Sequence, residues 1–319
     1  MEKNYDVVAL GELLIDFTEN GISSQGNPLL EANPGGAPCN VLALLSKLGH
    51  KTAFIGKVGK DIFGSQLREA IEEVGIESKS LMVDESVNTT LAFVHTYPDG
   101  DREFSFYRNP GADMMLSKED LDFDLLSDTK IFHFGTLSMT HEFCEEATKE
   151  AVRAAKEKGA LISFDPNLRE VLWDDLDRAK EMMDYGFSNC DILKIADNEI
   201  LWYTGEKDFD SAVKLMLEKY SIKLLLLSKG KDGSVAYYDG MCVEKEAYVQ
   251  KNTIETTGAG DTFMGSVLHF VLEHGLDGLK ESDLLEMLSF ANAAAALVTT
   301  KKGALRVMPT KEEIRNLKR

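Results

Sequence analysis

Glu255-Thr256-Thr257-Gly258-Ala259-Gly260-Asp261-Thr262-Phe263-Met264-Gly265 runs from a turn of small residues straight into an apolar-periodic segment that ends near His274-Gly275. This pattern predicts a loop feeding a helix N-terminus. Gly258 and Gly260 reach backbone conformations closed to other residues and set no Cβ between backbone and ligand. Consecutive N–H groups can therefore aim at one anion, a cradle for a phosphate. Asp261 falls in the first helical turn, where the dipole favours a carboxylate and where it could take a proton from an attacking hydroxyl. An Asp that caps a helix after a Gly-containing turn is the plainer reading, and this stretch alone does not decide between them.

A second stretch, Gly35-Gly36-Ala37-Pro38-Cys39-Asn40, also opens a helix: Gly35-Gly36 permits close backbone approach, Pro38 suits the first turn, and Val41 to Leu48 keeps helical apolar spacing up to Gly49. Together, Thr256–Asp261 and Gly35–Asn40 resemble the C-terminal and N-terminal signatures of the ribokinase-type (PfkB) carbohydrate kinases. The similarity runs through nearly all of residues 5–309. Phe106-Tyr107-Arg108-Asn109-Pro110-Gly111-Ala112-Asp113 is most similar to the fructokinase branch, with Gly111 where those relatives often carry Ser.

The resemblance implies a ribokinase-like three-layer α/β/α core with a mostly parallel sheet, plus a small β-sheet lid. The core is expected over residues 1–15, 36–87 and 111–319, and the lid over 16–35 and 88–110. It implies an ATP-dependent sugar kinase, foremost a fructokinase phosphorylating the 6-hydroxyl of fructose. 2-Keto-3-deoxygluconate kinase or another sugar or nucleoside kinase is the alternative, and a non-catalytic binding protein on the same fold the distant one. Asp261 is then the general base, with the amides of Gly258, Ala259 and Gly260 as the hole for the phosphoryl charge. Asp16, Gly35, Gly36, Asn40, Arg108 and Arg169 are implied sugar contacts. Asn167, Lys194, Ser228, Lys229, Gly230, Gly233 and Asn292 are implied nucleotide contacts, and Glu199 a partner of Mg²⁺ through water. Besides Gly111, two positions depart from the family pattern. Glu255 replaces the usual Asp near a monovalent-cation site and so puts potassium (K⁺) activation in question, and Ala196 replaces the Asn of an NxxE segment.

The residues themselves support a layered α/β domain. Asp6–Gly11, Ala53–Gly56, Lys130–Gly135, Ala160–Asp165, Asp191–Ile195 and Leu224–Gly230 are short apolar runs bounded by polar or Gly turns, the mark of buried parallel strands. Helical stretches between several of them imply right-handed crossovers. Asp16, and the Asp165-Pro166-Asn167-Leu168-Arg169 segment, follow strand ends, where ligands bind in open α/β sheets. Between Thr89 and Arg108, alternating strands around Pro98-Asp99-Gly100-Asp101 predict a β-hairpin. An exposed apolar face on such a lid calls for a partner, either the closed substrate site or a second subunit's lid, and a homodimer through the lid is the favoured expectation.

Composition narrows the function further. At 319 residues and 44% hydrophobic content the chain can bury a sizeable core. A formal charge of −19 disfavours nucleic acid or an anionic membrane as partner. No apolar run approaches the ~18–20 residues of a membrane span and the start carries no signal-peptide pattern, so a cytoplasmic protein is expected. Cys39, Cys144, Cys190 and Cys242 are scattered and read as reduced, structural thiols. No Gly-Lys pair is followed by Ser or Thr, which excludes a P-loop. His133 and His141 accompany no nucleophile motif and are assigned no chemistry.

Overall fold

The computed structural model describes residues 3–96, 102–250 and 252–318. Strand β1 (Tyr5–Leu10) leads into β2 (Leu14–Ile22) and β3 (Pro28–Gly35), and helix α1 (Ala37–Lys47) returns the chain to β4 (Thr52–Gly59). Helix α2 (Ile62–Glu73) precedes the short β5 (Ile76–Glu77) and β6 (Leu81–Asp84), then β7 (Leu91–Thr96) and β8 (Arg102–Tyr107). Next come α3 (Phe123–Ser127), β9 (Thr129–Phe134), α4 (Glu142–Glu157), β10 (Leu161–Phe164), α5 (Leu176–Asn189) and β11 (Ile192–Ala196). Helices α6 (Asp197–Thr204) and α7 (Phe209–Lys219) precede β12 (Leu224–Ser228) and the β13 (Ser234–Tyr238) and β14 (Met241–Lys245) hairpin. The chain closes with α8 (Ala259–His274), α9 (Glu281–Val298) and α10 (Lys311–Leu317).

Ten strands form the main sheet in the order β14-β13-β12-β11-β10-β9-β1-β4-β5, with β6 also on β4. From β12 to β5 every pairing is parallel; β13 and β14 add an antiparallel edge. Alternate residues of one strand serve opposite layers, as the two-residue period of a strand requires. Val7 and Ala9 of β1, with Leu224 and Leu226 of β12, pack in the core cluster that holds α1, α8 and α9. Val8, Leu10, Leu225 and Leu227 face the other way, onto α4, α5 and α7. Helices therefore cover both faces, which accounts for the unbroken apolar strand runs.

A separate sheet, β3-β2-β7-β8, stands off the core. Phe17 of β2 stacks on Phe93 of β7 with ring centroids 4.9 Å apart and meets Phe63 of α2 edge-on at 5.6 Å, tying this sheet to the core. Strands β7 and β8 pair antiparallel as the hairpin reading expects; its Pro98–Asp101 turn lies outside the described residues. No helix among the described residues is long and apolar enough to cross a membrane. Strand order reverses at β1, which sits between β4 and β9, and such a reversal opens a crevice at the carboxyl ends of the strands.

Candidate active site

The crevice is a cavity of about 360 Å³. Its floor comes from the segments after β1 and β10, from β11, and from the N-termini of α1 and α8. Its roof is the small sheet, through Thr18, Asn33, Val94 and Phe106. Asp16, Gly35, Gly36, Asn40, Asn167, Arg169, Lys194, Gly258, Gly260 and Asp261 all line it, joined by Glu12, Glu255, Thr256 and Thr257.

Local sequence builds each wall. Gly258 caps α8 in the left-handed region (φ 75), placing Asp261 third in the helix. A Cβ on Gly260 would come 3.3 Å from Lys194 Nζ, so the ammonium sits directly over the cradle. Among the described residues no backbone carbonyl accepts from the N–H of Gly258 or Gly260, whereas Ala259 N–H closes the preceding turn onto the Thr256 carbonyl at 3.2 Å. Two of the three expected hole amides thus have no backbone partner among the described residues, and the third is engaged.

At the mouth of α1, Gly36 adopts φ 134, and a Cβ there would strike the Glu12 carbonyl oxygen. Glu12 also accepts from the first helical N–H, Ala37, at 2.8 Å. Asn40, one turn in, donates to Asp261 Oδ2 at 2.8 Å across 221 residues of sequence. The two Gly-rich helix starts therefore meet face to face, on each side of one buried carboxylate.

Burial pushes Asp261 up to about 6; nearby Asp165 adds to the rise, while the Asn40 bond, Lys194 and Arg169 oppose it. Asp16 is raised by burial to about 7, eased by Arg169 and reinforced by Glu255 and Asp261. Glu12 also reaches about 7, mainly through burial. Burial works against the Lys194 charge, but Asp165, Glu199 and Asp261 outweigh it and the net shift is upward, keeping the ammonium charged. Its Nζ lies 3.0 Å from Asp165 Oδ2 and 3.2 Å from Oδ1.

Asn167 takes the left-handed conformation (φ 44) that Asn tolerates better than most residues. Arg169 Nη1 donates to the Leu168 carbonyl at 3.1 Å. Glu199 holds this loop from behind: Oε1 accepts from Leu168 N–H at 2.7 Å and Oε2 from Ala196 N–H at 2.8 Å. Glu199 is thus a buried clasp, and a water-mediated reach toward Mg²⁺ would use its remaining lone pairs.

Several expected contacts lie elsewhere. Arg108 is buried behind the wall: Nη2 sits 2.6 Å from Asp113 Oδ2 and 2.9 Å from the Leu137 carbonyl, and Nη1 donates to Thr140 Oγ1 at 2.8 Å. The fork that suited a polyhydroxy substrate is spent on the protein. Asn292 is likewise committed, accepting from Ser234 Oγ at 2.8 Å and donating to the Lys245 and Glu246 carbonyls. Lys229 pairs with Glu244. Ser228, Gly230 and Gly233 do not line the cavity, but Ser228 pairs with Ala196 in parallel register, so they continue the same carboxyl edge beside Lys194. His133 bonds Ser163 Oγ at 2.8 Å and burial lowers it to about 3; it is a neutral core residue.

Sequence reasoning passed over Glu12, Asp165 and the lid residues Thr18 and Asn33. Glu12 directly follows a strand-ending Gly, and Asp165 opens the segment already noted; both positions at strand ends were the available signal.

Comparison with known proteins agrees with this architecture. Residues 4–311 match the pfkB family of carbohydrate kinases. A probable fructokinase-2 of Arabidopsis thaliana is 40% identical over 307 residues, covering 95% of this chain and 93% of its own. A crystal structure of fructokinase with bound ATP from Xylella fastidiosa superposes with a TM-score of 0.89 at 29% identity, over 98% of both chains. A double mutant of fructokinase from Vibrio cholerae O395, holding fructose, ADP and a potassium ion, gives a TM-score of 0.89 at 25% identity over 100% of both chains.

Proposed function

The chain belongs to the pfkB family of carbohydrate kinases, phosphotransferases acting on sugar hydroxyls, and from that premise we propose that it phosphorylates the 6-hydroxyl of fructose with Mg²⁺-ATP. The observation that carries the chemistry is the pairing of a buried Asp261 carboxylate, anchored by Asn40, with the amide turn and Lys194 ammonium beside it. The fructose assignment is supported by relatives named as fructokinases over nearly their whole length.

Asp261 removes the proton from the sugar hydroxyl as its oxygen attacks the γ-phosphorus. A new O–P bond forms in line with the breaking bond to the β-phosphate oxygen, and ADP leaves. The N–H groups of Gly258 and Gly260 and the Lys194 ammonium face the negative charge spread over the phosphoryl oxygens. Mg²⁺ arriving with ATP supplies further neutralisation of the phosphates. Asp16 and Asn33 accept and donate to sugar hydroxyls, with Arg169 balancing the acidic pocket. The adenosine lies along the carboxyl edge toward Ser228 and Gly230. Arg108 contributes by fixing Asp113 and Leu137 behind the sugar pocket. The small sheet closes over the cavity and excludes water, and its outer face pairs with a second copy in a homodimer. The free cysteines and the dependence on ATP fit a cytoplasmic setting.

An ADP-release assay with Mg²⁺-ATP across fructose, 2-keto-3-deoxygluconate, ribose, adenosine and a no-sugar control, each with and without potassium, tests this reading. Fructose should give the highest kcat/KM. Turnover on another acceptor with none on fructose refutes the substrate, and no turnover on any acceptor refutes the kinase. Asp261→Asn should still bind sugar and ATP while kcat falls by about 10²- to 10⁴-fold; near-normal turnover would sink the base assignment.

A further inference from the structure

Two polar contacts join α8 to α1 and the residues that follow it. The first is the Asn40–Asp261 bond in the cavity. The second lies eight residues further along α8, about 12 Å away at the helical rise. There His269 Nδ1 sits 2.6 Å from Nε2 of His50, which follows the end of α1. Glu273, one turn beyond His269 and on the same helix face, converges on this pair. One ligand atom from each of the three residues lies within 4.8 Å of the others.

We propose that His50, His269 and Glu273 form a binding site for a divalent transition metal, with Zn²⁺ as its natural probe. Two imidazoles and a carboxylate are a donor set that suits Zn²⁺ with a water in the fourth position. Ligation at about 2.0–2.1 Å in a tetrahedron sets neighbouring nitrogens about 3.3 Å apart, so the two rings part by less than 1 Å, roughly, to admit the ion.

The surroundings favour ligation. Asp6 Oδ2 lies 3.6 Å from His50 Nδ1 while accepting from Lys51 N–H at 2.8 Å, so a small shift would bring the carboxylate behind the ring, where it orients the histidine and leaves the opposite nitrogen for a metal. Burial lowers His269 to about 4, with His50 and Lys311 acting in the same direction. Burial also lowers His50, against the pull of Asp6 and Glu273. Lys311 of α10 acts on both rings and opposes a second positive charge, and Arg315 and Lys318 line the same surface pocket with His269 and Glu273. The site therefore has a built-in counter-test: removing the Lys311 ammonium should tighten binding.

The experiment is a ZnCl2 titration of the full-length, chelator-treated protein by calorimetry, with bound zinc counted by mass spectrometry. All arms carry Cys242→Ser, since that thiol is exposed. One Zn²⁺ per chain and a raised Tm are expected. Glu273→Gln and His269→Gln should each weaken binding about 100-fold or more, Asp6→Asn about 10- to 100-fold, and Lys311→Met should strengthen it. Co²⁺ in place of Zn²⁺ should give the visible absorption of a four-coordinate ion, lost in Glu273→Gln. Because Glu273 is exposed, that variant keeps its fold even if His269→Gln does not. Absence of zinc binding, or equal affinity in the parent and Glu273→Gln, overturns the proposal and leaves a buried histidine pair.

Discussion

Asp261 is ionised only against the preference of its surroundings. The residue is 9% exposed, near Asp165 and in the same cavity as Asp16 and Glu12, and the single Asn40 bond with the Lys194 and Arg169 charges does not offset the burial. Two consequences follow from one sign. A base must be deprotonated, so kcat/KM should be full above the folded value and fall as pH drops through about 6. Because Asp16 and Glu12 titrate nearby at about 7, the acid limb belongs to the group and should be steeper than a single protonation. A flat profile from pH 8 to pH 5 would contradict this. Stability runs the other way: a carboxyl raised from 3.8 favours the fold when protonated, and that contribution is lost as pH rises from about 4 through about 6. Asp261→Asn removes the buried charge while keeping an oxygen for Asn40. It should therefore melt higher than the parent at pH 8, by up to about 3 kcal/mol of stability, with the gap closing near pH 4. Thermal denaturation at both pH values reads this directly, and a variant less stable at pH 8 would count against it.

At the scale of the element, α1 depends on how it begins. Gly36 turns the chain at φ 134 with its α-hydrogen against the Glu12 carbonyl, and the Glu12 carboxylate accepts from Ala37 N–H. Gly36→Ala brings a left-handed strain of about 1–2 kcal/mol and a backbone clash on top of it. The expected loss is 3 kcal/mol, roughly, together with a raised KM for sugar as Asn40 shifts. Urea unfolding and steady-state kinetics check both, and unchanged stability would mean the entry to α1 is more adaptable than this geometry allows. Such helix starts were legible in the sequence because Gly, Pro and the apolar period are local signals. So were the buried strands, whose runs of Val, Leu and Ile need two covered faces. The direction of Arg108 was not legible, since the Thr140 hydroxyl and the Leu137 carbonyl reach it and Asp113 only through the packing of two distant segments. Glu199 and Asn292 were read as ligand groups for the same reason: a polar side chain on a helix beside the sheet, as both are in α6 and α9, has the same sequence signature whether it meets a ligand or a neighbouring backbone. The short β5 and β6 strands, with two and four residues, carry too little period to be read.

At the scale of the molecule, the small sheet presents Ile22, Leu29, Leu30 and Tyr107 to solvent on strands β2, β3 and β8, the apolar surface on which the proposed dimer rests. Each copy carries −19, so association sets two strongly acidic bodies against each other. Burying apolar side chains gains about 25 cal/mol per Å², a term that salt does not screen, whereas the repulsion decays over about 10 Å at 0.1 M ionic strength. The two forces predict a characteristic salt response: the dimer should tighten as ionic strength rises from about 0.02 M to about 0.3 M, opposite to an interface held by ion pairs. Ile22→Asp places a charge in the apolar patch and adds to the repulsion, and should shift the protein to monomer at every salt concentration while leaving the cavity residues untouched. Sedimentation equilibrium of both proteins at the two ionic strengths distinguishes the cases. A dimer that weakens with salt would move the interface to the charged flanks, and a parent that stays monomeric throughout would remove the lid from the role of partner surface and leave it solely as the roof of the cavity.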